Sequence, residues 1–95
     1  MQLAVFQAAD YISQPMPTLL TQDGFDVMIY TRDHPPAHVH VWKAGGEAVI
    51  VLGGDAAAPS VRDFKKMRKE SVRKAVRMVE ENQAFLLIQW REIHG

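Results

Sequence analysis

Between Phe25 and Leu52 the chain changes side at almost every residue. Phe25, Val27 and Ile29 alternate with Asp26, Met28 and Tyr30; further on, Val39 and Val41 alternate with His38, His40 and Trp42. A period of two belongs to a β-strand with one buried face, so each run predicts a strand. A third run, EAVIVLGG at 47–54, is apolar at nearly every position and predicts a strand buried on both faces. QDGF at 22–25 and AGG at 44–46 are tight-turn signals. RDHPPAH at 32–38 breaks the alternation, because neither Pro35 nor Pro36 can donate to a ladder. Residues 25–52 therefore predict a three-stranded antiparallel meander. With the second turn at 43–46, its register pairs Trp42 with Glu47, His40 with Val49 and His38 with Val51.

GGDAAAPS at 53–60 reads as a loop, and VRDFK at 61–65 as a fourth strand or an extended link. From Met67 the period lengthens to about 3.6, with Val72, Ala75, Val76 and Val79 on one stripe. EENQ at 80–83 interrupts it, and Phe85, Leu86, Ile88, Trp90 and Ile93 supply a second helix, the two meeting near Asn82. The fold class expected is α+β. Its sheet has three to four antiparallel strands, and two C-terminal helices pack on the face of Phe25, Val27, Ile29, Val39 and Val41. Residues 17–95 are expected to form the domain. Residues 1–16 are expected to be an arm or extension, amphipathic and closed by Pro15 and Pro17.

Composition narrows the function classes. At 95 residues, 47% of them hydrophobic, the chain suits one core. It has no cysteine, which excludes a disulfide framework and thiolate metal sites and fits a reducing, cytoplasmic setting. No run reaches the eighteen or so apolar residues of a spanning helix, and no secretory signal is present, so no membrane partner is expected. Net charge is zero but unevenly spread. From Arg62 to Arg77 eight basic residues face two acidic ones, a surplus of six, and the rest of the chain carries the matching deficit. Lys66, Lys69, Arg73, Lys74 and Arg77 make a basic ridge suited to nucleic-acid phosphates. A solvated face that attracts acidic groups explains the same ridge.

The histidines carry the most specific chemistry. His38, His40 and Trp42 point to one side of a strand, with Glu47 on the same side. His34, His38 and His40 are candidate ligands for a divalent transition metal. Asp33 and Glu47 are further ligands or hydrogen-bond partners of the rings, and a position is left for water. That set would suit a metal-dependent hydrolase or nuclease. Ordinary turn hydrogen bonds at Asp33 and His34 account for the same residues without a metal. Met28, Tyr30, Trp42, Val49 and Val51 share the histidine side, which two helices on the other face leave open. A protein partner, a second copy or the N-terminal arm is expected to cover it. No phosphate-binding glycine loop occurs.

The stretch GFDVMIYTRDHPPAHVHV, then GEA and EENQAFLLIQWREIHG, resembles a small bacterial family catalogued as domain of unknown function 4160. The resemblance begins at Pro17 and Thr18 and runs to the C-terminus. It rests on Asp33, His34, Pro36, His38, His40 and Val41; on Gly46, Glu47 and Ala48; and on Glu81, Asn82, Leu86, Leu87, Trp90, Ile93, His94 and Gly95. Ala37 stands where the family often has a second proline. Met16 would be the usual start, which makes residues 1–16 an extension. The resemblance implies a small component of a two-gene, toxin-antitoxin-like pair. Such a protein would be an interaction module that meets a protein partner through its sheet, or forms a dimer, and touches nucleic acid through its basic helix.

Overall fold

In the computed structural model, which describes residues 18–95, five antiparallel strands form one sheet in chain order. They are β1 Leu20–Gln22, β2 Phe25–Met28, β3 His38–Lys43, β4 Gly46–Val51 and β5 Ser60–Lys65; the helices α1 Lys69–Glu81 and α2 Gln83–His94 follow. The expected arm at residues 1–16 lies outside the described residues. The α+β class holds, and the register of β3 on β4 pairs Trp42 with Glu47, His40 with Val49 and His38 with Val51.

The strand count exceeds the expected three to four. Asp23 and Gly24, both with positive φ (54° and 82°), make a two-residue turn that folds Leu20–Gln22 back onto Phe25–Val27. VRDFK lies in a full strand, β5, at the other edge of the sheet. Between β2 and β3 runs the proline segment, whose Pro35–Pro36 peptide is cis.

One sheet face is the core. Phe25, Val27, Ile29, Val39, Val41, Ala48, Ile50 and Leu52 pack against Ala75, Met78 and Val79 of α1 and Leu86 and Trp90 of α2. Each large side chain buried there contributes roughly 1.5–3 kcal/mol relative to exposure. β4 departs from the expectation of burial on both faces: Ala48 and Ile50 are buried, whereas Glu47, Val49 and Val51 are only partly covered. The helices cover one face, so only every second residue of β4 reaches the core. The helices do separate at Asn82, whose side-chain amide donates to the Met78 carbonyl oxygen at 2.8 Å. In α2, Leu86 and Trp90 face the core four residues apart, and Phe85 and Ile88 face solvent.

The far end of α2 corrects one expectation. Strand alternation places His38 on the side the helices leave open, yet it is 4% exposed and its ring centroid lies 5.3 Å from that of Trp90. His94 continues the stack, 4.1 Å from Trp90. The indole is large enough to reach the first residue of β3, where the sheet ends. No helix among the described residues is long and apolar enough to cross a membrane.

Candidate functional site

The turn before β3 gathers the polar residues. Its Asp33 amide donates to the Tyr30 carbonyl oxygen at 3.1 Å, and the Tyr30 amide donates back to Asp33 Oδ2 at 2.9 Å. The other carboxylate oxygen, Oδ1, is thereby left facing the strand. It lies 3.4 Å from His38 Nε2 and 3.2 Å from His40 Nε2, and His40 Nε2 is also 3.1 Å from Oδ2. The three side chains are each at most 12% exposed.

The opposite ring nitrogens meet acceptors at shorter range. His38 Nδ1 donates to the Pro36 carbonyl oxygen at 2.9 Å, and His40 Nδ1 donates to Glu47 Oε2 at 2.8 Å. Asp33, beyond Nε2, only accepts as well, but the Nδ1 contacts are the shorter ones in both rings, so the single hydrogen of a neutral ring goes to Nδ1 and Nε2 presents a lone pair. With both rings neutral, two lone pairs and a carboxylate oxygen face one another with no donor among them; with His40 protonated, its Nε2 donates to Asp33. A cation between them, or an added proton on the rings, removes the repulsion.

The spacing suits the cation. One ligand atom from each of Asp33, His38 and His40 lies within 4.8 Å of the others. Tetrahedral ligands about 2.0–2.2 Å from an ion are separated by roughly 3.4 Å. Two histidines and one carboxylate are also a familiar donor set for divalent transition metals. Glu47, which holds His40 from behind, fixes the ring as a partner to a metal-bound histidine does.

An aromatic wall closes one side. Tyr30 stacks on His40 with ring centroids 4.0 Å apart and planes inclined by 17°, and Trp42 Nε1 donates to the Tyr30 hydroxyl at 3.0 Å. Burial pushes the Tyr30 phenol up, the Trp42 hydrogen bond pulls it down, and the charges of Glu47 and Asp33 push it up again; the net direction is upward. For Asp33 burial also pushes upward. There the Tyr30 amide, the hydrogen bond from His40 and the charges of His40 and His38 outweigh it, and the carboxyl lies below its ordinary value.

The triad opens onto a cleft of about 390 Å³ that Arg32, His34, Arg62 and Asp63 also line. Among the described residues neither arginine forms an ion pair. His34 is exposed on the cleft wall and lies outside the group that converges. Met28, Tyr30, Trp42, Val49 and Val51 are all half-buried on this side of the sheet. Lys66 lies in the link before α1, and Lys69, Arg73, Lys74 and Arg77 lie on α1, all five exposed. Sequence reasoning passed over Arg32, Arg62 and the support that Tyr30 gives. Arg32 adjoins the proline turn, but only the pairing of β5 with β4 brings Arg62 to the same cleft.

A family model described as a domain of unknown function (DUF4160) matches residues 24–91. No curated protein and no solved structure matches the chain.

Proposed function

The chain belongs to that family, DUF4160, whose description states no reaction, and from the geometry of its site we propose that it binds a divalent transition metal through Asp33, His38 and His40. One observation carries the reading: each histidine has its shortest acceptor contact at Nδ1, to Pro36 or Glu47, and turns Nε2 toward the Asp33 carboxylate. Glu47 positions His40, and His34 is spare. An ion held by three protein ligands keeps a position for water or for a ligand oxygen and acts there as a Lewis acid. Arg32 and Arg62 in the adjoining cleft favour an anionic ligand beside it. Metal-dependent hydrolysis of a phosphoester is the enzyme reading that fits this combination.

Metal uptake tests the site. Protein incubated with Zn(II), Mn(II) or Fe(II) and desalted should retain about one equivalent of at least one of them by elemental analysis. His38→Ala and His40→Ala should lose it, and His34→Ala should keep it. At an ion concentration about 100 times the Kd, folding should gain about 2.7 kcal/mol, visible as a raised Tm. A wild-type protein that retains none of the three ions, or a His40→Ala protein that retains as much, refutes the proposal.

A second reading, an interaction module of a toxin-antitoxin-like pair, is supported by a different observation. Lys66, Lys69, Arg73, Lys74 and Arg77 are exposed together, and none forms an ion pair among the described residues. Such a ridge binds nucleic-acid phosphates with an affinity that falls steeply as salt rises.

A further inference from the structure

β5 is the last strand of the sheet, and all six of its residues, Ser60–Lys65, are exposed. A bulge interrupts its pairing: Asp63 lies opposite Val49 and Val61 opposite Ile50, with Arg62 in excess. The extra residue resets the alternation. Val61 and Phe64 both come to lie on the helix side, opposite Ile50 and Ala48, and remain 39% and 40% exposed. Arg62 and Asp63 both line the cleft on the other side.

The strand SVRDFK is complementary to its own reverse. Antiparallel pairing about a two-fold axis between residues 62 and 63 sets Arg62 opposite Asp63 twice, Val61 opposite Phe64 twice and Ser60 opposite Lys65 twice. Residues directly opposite on an antiparallel pair share a face, so each Arg62 would meet an Asp63 on the cleft side. The two Val61 and Phe64 pairs would add to the core on the helix side. A shift of one residue either way sets Arg62 against Arg62 or Asp63 against Asp63, which disfavours other registers.

We propose that the protein forms a two-fold dimer in which β5 pairs with β5 of a second copy, joining two five-stranded sheets into one of ten strands. The interface is isologous, and it closes an edge that would otherwise template open-ended association. The groove beside it, lined by Val61, Val72 and Val76, also carries Arg73, Arg77 and Glu80, so the approaching helix flanks present both signs of charge. Asp63 lines the cleft next to the metal triad. Dimerisation therefore brings Arg62 of the second copy to the rim of each cleft and sets the two clefts side by side. The dimer does not depend on the metal proposal.

Sedimentation equilibrium over a range of full-length protein concentrations tests it. The wild type should dimerise. Arg62→Asp alone and Asp63→Arg alone should each weaken dimerisation at least about tenfold, because each places like charges opposite one another twice. An equimolar mixture of these two single variants should associate as heterodimers, since Asp–Arg pairs then replace the like-charge ones; the double variant should dimerise with itself. Far-UV circular dichroism should stay unchanged throughout, as the substituted side chains are exposed. A wild type that stays monomeric, whether residues 1–17 or another protein covers β5, overturns the proposal. So does a dimer that Arg62→Asp leaves intact, or a mixture no more associated than its components.

Discussion

Two hydrogen bonds decide what His38 and His40 offer, and a third interaction, from Tyr30 to Asp33, decides what they face. Glu47→Ala removes the acceptor behind His40 while leaving Asp33, His38 and His40 in place, and should weaken metal binding about 10–100-fold in a calorimetric titration. Glu47→Gln keeps a carbonyl oxygen for the same ring hydrogen and should retain most of the affinity. The pair separates a supporting role from a direct ligand, which glutamine would replace poorly. Asp33 gives a second residue-scale prediction, for protein kept free of metal by a chelator. Its folded carboxyl lies below the ordinary value of 3.8, so its contribution to stability is full above that value and is lost as the pH falls through the lower, folded one. Asp33→Asn should flatten urea stability against pH in that acid range. In the sequence, the H-x-H spacing and Glu47 on the same face were legible. That Asp33 rather than His34 meets the two rings was not, because a β-turn hydrogen bond, which no periodicity encodes, aims the carboxylate.

At the scale of elements, the three longest runs of alternation gave β2, β3 and β4, and the change to a period of 3.6 gave the helices. β1 escaped because three residues, Leu20–Gln22, are too few to display a period. β5 stayed ambiguous for a physical reason: its bulge puts Val61 and Phe64, three residues apart, on one face and so erases the period of two. The turns carry two predictions. Ala44 has φ 50° and precedes Gly45 at φ 83°, a conformation that suits asparagine better than alanine at the first position. Ala44→Asn should raise unfolding stability by about 1 kcal/mol. Gly46 pairs with Lys43, and a Cβ there would collide with the Lys66 carbonyl oxygen. Gly46→Ala should therefore cost about 1–3 kcal/mol, measured by urea denaturation.

Across the whole molecule the chemistry divides between two surfaces. The cleft side of the sheet holds the Asp33, His38 and His40 group with Arg32 and Arg62 at its rim, and α1 exposes Lys69, Arg73, Lys74 and Arg77. If the ridge takes duplex nucleic acid, replacing Lys69, Arg73 and Lys74 by Glu should sharply lower affinity in an anisotropy titration. The slope of log K against log salt should become shallower by about 0.9 for each phosphate that the protein no longer neutralises. Unchanged affinity and slope would leave the ridge a solvated face. The aromatic surroundings of the triad have a separate consequence. The chain has two tryptophans, and both adjoin the site: Trp90 stands beside His38, and Trp42 bonds the tyrosine that stacks on His40. If the triad takes an ion, its entry between the rings should change the environment of both indoles together. Under the metal proposal the two indoles would serve as an intrinsic optical reporter of occupancy, one that responds in ultraviolet emission without a label.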